Sequence, residues 1–200
     1  MGWTAESAAP AVEAPAWHGP ARLPELRVHP GNARITFSAR LCGLLTVRGE
    51  FTEFDGRARW AADEPRRSSL EATISAASIR TGIAMRDHHL RGWSYLDAAA
   101  YPVISFRSRS LACGEPRLMV RGSLTLRGIT GEAELACSSR RVALPGEGAG
   151  DAWLLVGEMA VSRSRFGVGR PARALGPADI RPLIIGDLVR IRVEVRVPPA

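Results

Sequence analysis

The sequence predicts an all-β fold of about eight antiparallel strands, arranged as a sandwich or a closed barrel. Apolar and polar residues alternate from about residue 33 onward, and Gly, Pro and Asp separate most of the alternating segments. Strict alternation indicates half-buried antiparallel strands. Helix-forming composition is confined to one region near residues 84–99. A closed barrel is favoured because closure removes exposed strand edges.

The alternation is clearest in the first and last predicted strands. In ARITFSARL, Ile35, Phe37 and Leu41 share one face. In DLVRIRVEVRV, the aliphatic residues alternate with Arg190 and Arg192. Between these two segments, further strands are predicted in TVRGEFTEF, LEATIS, PVISFRSRS, RLMVRGSLTLRG, GEAELACSS and AWLLVGEMAVS.

The remaining segments predict a helix, a loop and a tail. AMRDHHLRGWSYLDAA, residues 84–99, is interrupted by Gly92 and predicts one or two short helices. Residues 163–182, rich in Gly and Pro, predict a long loop. Residues 1–26, rich in Ala and Pro, predict a disordered tail, which leaves 27–200 as one domain.

Composition narrows the classes of partner. The net charge is +7, and every basic residue other than histidine is arginine. These arginines are scattered, whereas a nucleic-acid surface needs them clustered, so we expect no nucleic-acid partner. No basic region followed by an apolar run opens the chain, which predicts a cytoplasmic protein. Three cysteines, Cys42, Cys113 and Cys137, form no paired framework and fit a reducing compartment.

The adjacent His88 and His89 invite a chemical interpretation. A zinc site needs three or four converging ligands, yet neighbouring residues of a helix diverge by about 100°. Asp87 is placed to orient a histidine of a hydrolytic triad, but no Gly-x-Ser-x-Gly motif supplies a nucleophile. We therefore predict no catalytic and no metal-binding residues. Arg86 and Asp87 are interpreted as an ion pair that ties the helix to a loop.

The predicted inward faces are largely aliphatic with a few aromatic residues. A barrel of about eight strands is wide enough to hold one small ligand. Such an interior suits a hydrocarbon chain, although alternation by itself favours a filled core without a cavity. The inward residues are Phe37, Leu41, Phe51, Ile74, Phe106, Leu124 and Val193.

Several stretches, in order, resemble the YceI-like family of lipocalin-like, polyisoprenoid-binding antiparallel barrels. The resemblance runs from about residue 29 to 197. Val47, Gly49 and Phe51 match the valine-x-glycine-x-phenylalanine of the family's first hairpin, and RDHHLRGWSYLDAAAYPVISFRS matches its most recognisable motif. The other matching stretches are LEATISAASIRTG, LRGITGEAEL, SRSRFGV and IIGDLVRIRVEVR.

The resemblance implies an eight-stranded lipocalin-like barrel that binds, stores or transports an isoprenoid or similar amphipathic lipid, of the polyprenyl quinone or polyprenyl alcohol type. It implies no enzymatic activity and no required cofactor beyond such a bound lipid. A homodimer and transient membrane contact are possible partners in this interpretation. Many relatives are exported, whereas the missing signal predicts that this chain is cytoplasmic. The ligand-binding residues are then Phe37, Leu41, Phe51, Ile74, His89, Leu90, Trp93, Tyr95, Phe106, Leu124 and Phe166.

The chain departs from the family pattern at several positions. Leu41 stands where many members carry histidine, which removes a headgroup contact. Tyr95 and Leu96 replace paired phenylalanines, and Arg165 replaces an acidic residue. Two other functions remain as hypotheses. One is an Arg-rich module that docks an acidic partner or a membrane surface, and the other is an enzyme or metal protein that uses the histidines.

Overall fold

A computed structural model of the chain describes residues 22–41, 45–61, 67–114, 117–143, 151–169 and 185–197. Antiparallel strands dominate these residues. The strands are β1 Arg22–Val28, β2 Ala33–Leu41, β3 Leu45–Phe51, β4 Phe54–Ala61, β5 Ser69–Ser75, β6 Ile79–Arg80, β7 Val103–Gly114, β8 Arg117–Leu126, β9 Ile129–Ala143, β10 Asp151–Ser162 and β11 Ile185–Val197. One α-helix, α1, spans Ala84–Arg91.

The strands form one eleven-stranded sheet in the order β1-β4-β5-β7-β8-β9-β10-β11-β2-β3-β6. The predicted all-β antiparallel fold is therefore confirmed, but the predicted number of eight strands is too low. The three missed strands are β1, β4 and β6. Pro24 interrupts the alternation of β1, Gly56 interrupts that of β4, and β6 has two residues, too few for a pattern.

The sheet curls around its apolar face but is not closed by hydrogen bonds. Among the described residues, pairing begins at β1 and ends at β6, so these two strands are the edges of a curled half-barrel. The predicted closed barrel is corrected to this extent. β6 pairs with β3 through Arg80 opposite Glu50 and Ile79 opposite Phe51. It ends there because the chain turns at Gly82, whose φ of +81° favours glycine.

Helix α1 confirms the predicted short helix and occupies the first half of residues 84–99. It ends at Gly92, whose N–H donates to the carbonyl oxygen of His89. Strand β1 begins at Arg22, before the predicted domain boundary at residue 27. Residues 1–21, and residues 170–182 of the predicted loop, lie outside the described residues.

The core lies on the concave face of the sheet. Along β8, Leu118, Val120 and Leu124 are buried, whereas Met119, Arg121 and Ser123 face outward. Complete burial of such a side chain contributes about 1.5–3 kcal/mol. Gly122 lies in the same inward series, where a Cβ would come within 2.8 Å of the Phe106 ring. Glycine is required there because β7 and β8 approach closely at the register shift between Ser108 and Ser110.

The convex face of the sheet carries ion pairs. Arg34 bonds Glu50 at 2.7 Å, and Arg121 bonds Glu134 at 2.7 Å. These side chains are largely exposed, so each pair contributes at most about 1 kcal/mol. The pairs neutralise much of the arginine charge locally, and the concave face remains apolar.

Candidate functional site: the apolar cavity

The curled sheet encloses a cavity of about 820 Å³. This volume falls within the range of roughly 300–1,000 Å³ that is typical of ligand pockets. Residues from nearly every long strand line it, and most of them are aliphatic or aromatic. They include Leu26, Phe37, Phe51, Trp60, Ile74, Phe106, Leu124, Leu135, Met159, Ile191 and Val193.

One side of the cavity is the inner surface of β7, β8 and β9, which we call the wall. Its side chains come from alternate positions of the three strands and are almost entirely buried. Regular alternation on three paired strands therefore produces a continuous apolar surface. The wall consists of Phe106, Leu118, Val120, Leu124 and Leu135.

Two phenylalanines meet on the opposite side, on β2 and β3. The rings of Phe37 and Phe51 have centroids 5.7 Å apart and are tilted by 48°. Gly49 lies beside them, where a Cβ would clash with the Phe37 ring and lie 2.6 Å from the carbonyl oxygen of Arg80. Glycine at this position allows the Phe37 ring and the short strand β6 to lie against β3.

The segment at residues 79–96, which we call the mouth, supplies lining residues that no long strand provides. Met85, His89 and Leu90 lie at helical spacing on α1, and Trp93 follows the helix. Met85 is 73% exposed and Trp93 is 58% exposed, although both line the cavity. The mouth therefore joins the apolar interior to solvent.

Polar side chains, which we call the clasp, hold the mouth in place. Asp87 is 8% exposed, and its Oδ1 accepts hydrogen bonds from the backbone N–H of Thr81, at 2.8 Å, and from the Thr81 hydroxyl. Arg86 donates from Nε to Thr81 Oγ1, at 2.7 Å, and from Nη2 to the Thr81 carbonyl, at 2.9 Å. The predicted Arg86–Asp87 ion pair is wrong in detail, since both side chains bond Thr81. They do tie the helix to a loop, as predicted.

A second arginine organises the other loop at the cavity. Arg163 lines the cavity and donates to the carbonyl oxygens of Val168, at 2.8 Å, and Ile185, at 2.8 Å. The N–H of Gly169 donates to the Ser94 carbonyl at 2.7 Å, which joins this loop to the mouth. Sequence reasoning missed Arg163. The one sequence signal for its position is its place in SRSRFGV. An arginine in a loop has no periodicity that would indicate whether it is buried.

The sequence also did not predict that Cys137 faces the cavity. It lies on β9 and lines the cavity next to the wall. Burial raises the pKa of the Cys137 thiol to about 12, so the thiol stays protonated at neutral pH. A protonated thiol acts as a small apolar group in the lining rather than as a nucleophile.

The predicted ligand-binding residues lie at the cavity with one exception. Phe166 is 3% exposed, and its ring lies over Gly131, where a Cβ would be 3.0 Å from Phe166 Cζ. It belongs to the packed core and is not a lining residue. The residues that do line the cavity are Phe37, Leu41, Phe51, Ile74, His89, Leu90, Trp93, Tyr95, Phe106 and Leu124. Residues from the missed strands β1 and β4, such as Leu26 and Trp60, join them.

The two adjacent histidines differ in position. Their ring centroids lie 6.3 Å apart, and His89 lines the cavity whereas His88 does not. Asp87 directs its carboxylate to Thr81. Within the described ranges, no group of three His, Cys, Asp or Glu side chains is placed to hold a metal ion. No helix among the described residues has the length and apolarity to cross a membrane.

Curated relatives match this chain over part of their length. Protein YceI of Escherichia coli O157:H7 is 33% identical over 99 residues, which is 50% of this chain and 52% of the relative. A UPF0312 protein of Shewanella denitrificans is 36% identical over 100 residues, with the same shares. The chain thus aligns with about half the length of the curated relatives it matches.

Solved structures show the same fold at low sequence identity. BcnA of Burkholderia cenocepacia has a TM-score of 0.68 at 22% identity, covering 85% of this chain and 99% of that one. A polyisoprenoid binding domain from Saccharophagus degradans, implicated in plant cell wall breakdown, has a TM-score of 0.55 at 14% identity, covering 88% of this chain and 99% of the domain. The model of the YceI-like domain matches residues 26–197, and the chain belongs to that family.

Proposed function

We propose that the chain binds, stores or transports an isoprenoid or a similar amphipathic lipid, whose tail occupies the cavity. The observation that carries this proposal is an apolar cavity of about 820 Å³ on the concave face of the sheet. The likeness to a solved polyisoprenoid binding domain supports it. Binding by itself is the mechanism, so the role is non-enzymatic and needs no cofactor other than the lipid.

The energetics favour a long tail. Each buried methylene contributes about 0.8 kcal/mol, so about ten of them contribute about 8 kcal/mol. Association costs about 4–15 kcal/mol in lost freedom, which offsets at least half of that gain and can exceed it. A chain of about twenty buried carbons doubles the gain and binds firmly. A polyprenyl quinone or polyprenyl alcohol has a tail of this length, and its methyl branches widen it to fill the lumen.

The polar groups at the mouth favour an uncharged head. Tyr95 and His89 line the cavity there and present a hydroxyl and an imidazole. Arg163 and Arg86 direct their donors to loop atoms, and Leu41 adds an apolar side chain to the cavity lining on β2. A quinone carbonyl or an alcohol hydroxyl can bond Tyr95 or His89, and it requires no charged partner.

The first test is extraction of lipid from protein that has been purified without detergent, followed by mass spectrometry. We expect a prenyl lipid in about one-to-one stoichiometry. Protein that yields no lipid and also fails to bind an added polyprenyl quinone would overturn the proposal.

A matched pair of variants on β5 tests whether the cavity is the site. Ala72 lines the cavity beside Gly56, which leaves room for an indole to project into the lumen. Ala72→Trp is expected to reduce quinone binding about a hundredfold. Thr73→Trp places the same ring on the exposed outer face of the same strand and is expected to leave binding unchanged. Equal binding by the two variants would exclude the cavity as the lipid-binding site.

A trough on the convex face favours docking of an acidic protein as a second function. Arg190 and Arg48 lie opposite Ser38 on its two neighbouring strands. Neither arginine has a carboxylate partner among the described residues, in contrast to Arg34 and Arg192. Two arginines whose backbones lie about 10 Å apart, on either side of a small residue, suit a carboxylate-rich segment.

Salt-dependent retention on an acidic polypeptide, such as polyglutamate, tests this second function. Arg48→Ala with Arg190→Ala should weaken retention. The control, Arg107→Ala with Arg109→Ala, removes the same charge and should weaken retention less. Its arginines already pair with Glu71 and Glu132. Equal retention of the two double variants would reject the trough as a site.

A further inference from the structure

Three large apolar side chains form an exposed rim at the mouth of the cavity. Ile83 is 53% exposed, Met85 is 73% exposed and Trp93 is 58% exposed. All three also line the cavity. An exposed apolar patch that is continuous with a cavity indicates contact with an apolar partner, because isolated surface apolar residues lack such continuity.

The way α1 is attached explains why the rim faces outward. The buried side of the helix carries Asp87, which bonds Thr81, and hydrogen bonds of Arg86 complete the attachment. Arg91 adds a bond from Nη2 to the carbonyl oxygen of Ile79 at 2.9 Å. Polar bonds thus attach the helix to β6 and the loop beside it, and Met85 is left free to face solvent.

The charged side chains of the mouth segment are mostly basic. Between residues 79 and 96 the sequence contains one acidic side chain, Asp87, and this carboxylate is buried against Thr81. The basic residues of the same segment are Arg80, Arg86, His88, His89 and Arg91. An apolar rim within a basic segment matches the surface of an anionic bilayer, where cations meet lipid headgroups and apolar side chains enter the acyl boundary.

We propose that the rim docks on the surface of an anionic lipid bilayer. Ile83, Met85 and Trp93 enter the headgroup boundary, and the positive charge of the arginines in the same segment attracts the anionic headgroups. An apolar chain then passes between the bilayer and the cavity without crossing water. This proposal rests on the proposed lipid-binding function for what the docked protein does, but docking itself needs no lipid in the cavity.

Co-sedimentation with vesicles that contain no isoprenoid tests the docking. The wild-type chain is expected to sediment with vesicles of phosphatidylcholine and phosphatidylglycerol at least about tenfold more than with phosphatidylcholine alone. Raising the salt concentration should reduce this association. Equal sedimentation with both kinds of vesicle, or none with either, would overturn the proposal.

Substitutions at the rim locate the contact. Met85→Gln with Trp93→Gln should reduce sedimentation with the anionic vesicles about tenfold. Val103→Gln with Ile129→Gln is the matched control, because these side chains are 52% and 43% exposed and do not line the cavity. Circular dichroism confirms folding of both double variants. If the two lose association equally, or neither loses it, the rim is not the contact.

A second copy of this chain is the competing occupant. Sedimentation equilibrium without vesicles would then show a dimer that Met85→Gln dissociates, and this result would replace the bilayer by self-association. The two proposals fail separately. Extracted lipid without vesicle docking overturns only the rim, and vesicle docking by a chain that retains no lipid overturns only the proposed cavity function.

Discussion

The wall and the mouth of the cavity differ in the kind of side chain that each exposes to solvent. On the wall, Val120 and Leu124 are buried, and the charged Arg121 between them faces solvent. At the mouth, the carboxylate of Asp87 is buried, and the apolar side chains of Met85 and Trp93 are exposed. Apolar packing holds the wall together, whereas at the mouth hydrogen bonds to Thr81 fix helix α1 beside the packed side chains of Ile79 and Leu96.

This difference shows how one chain builds both a rigid container and an opening. Sheet residues that face inward need no partner beyond each other, so the wall can surround a ligand without specific bonds. If the exposed apolar side chains of the mouth packed against the sheet to hold helix α1, they would no longer face solvent. Attachment through Thr81, Arg86 and Asp87 leaves the rim available for contact with lipid.

The largest expected effect concerns the reactivity of Cys137, beside the wall. With its thiol pKa raised to about 12, Cys137 should react with iodoacetamide at pH 8 about a thousandfold more slowly in the folded chain than in the unfolded chain. Labelling followed by mass spectrometry measures both rates, in a background where Cys42 and Cys113 are replaced by serine. A folded-state rate close to the unfolded rate would mean that Cys137 is not enclosed.

The second prediction concerns the clasp. Asp87→Ala removes the acceptor of two Thr81 hydrogen bonds and should lower the free energy of unfolding by about 2–3 kcal/mol. Urea denaturation measures the change. Asp151→Ala, at an exposed carboxylate, should change it by less than about 0.5 kcal/mol. If Thr81→Val and Asp87→Ala prove additive in the double variant, the two residues are not coupled.

The third prediction concerns the packing of the wall. Leu124→Ala should lower the free energy of unfolding by about 2 kcal/mol, the low end of the range for buried leucine, because this side chain already borders open volume. The outward-facing neighbour Ser123→Ala should cost less than about 0.5 kcal/mol. A loss for Leu124→Ala near about 5 kcal/mol would indicate that the lumen is filled.

The smallest expected effect concerns Asp187, which lies on β11 beside the loop that Arg163 organises. The hydroxyl of Ser162, at 2.6 Å from Asp187, and then the hydrogen bonds from Ser164 hold the pKa of Asp187 below its usual value of 3.8. A lowered pKa in the folded state gives stability that is present above pH 3.8 and is lost as the pH falls through the folded-state value.

Asp187→Asn should accordingly be less stable than the wild type near pH 7, and the difference should shrink as the pH falls below about 4. Thermal unfolding across this range measures it, with Asp151→Asn as the control. A difference that is independent of pH would show that the charge of Asp187 has no part in holding the loop.

Alternation predicts the long strands well, because the inward positions of β8 and β11, apart from Gly122, carry apolar side chains. It fails for β1, β4 and β6, where Pro24, Gly56 and the brevity of β6 remove the pattern. Phe166 was placed at the ligand by resemblance and lies in the core instead. A phenylalanine that follows a loop has no periodicity to show which way it faces.

The sequence by itself determined the antiparallel sheet, its apolar inner face, the short helix and the family. These features follow from local periodicity and motif order, which are properties of neighbours along the chain. Tertiary structure decided that β1 and β6 are the edges of the half-barrel among the described residues, and that Asp87 and Arg86 both bond Thr81. It also decided that Met85 and Trp93 face solvent at the cavity. These outcomes depend on how distant strands curl together, and no local pattern encodes that curvature.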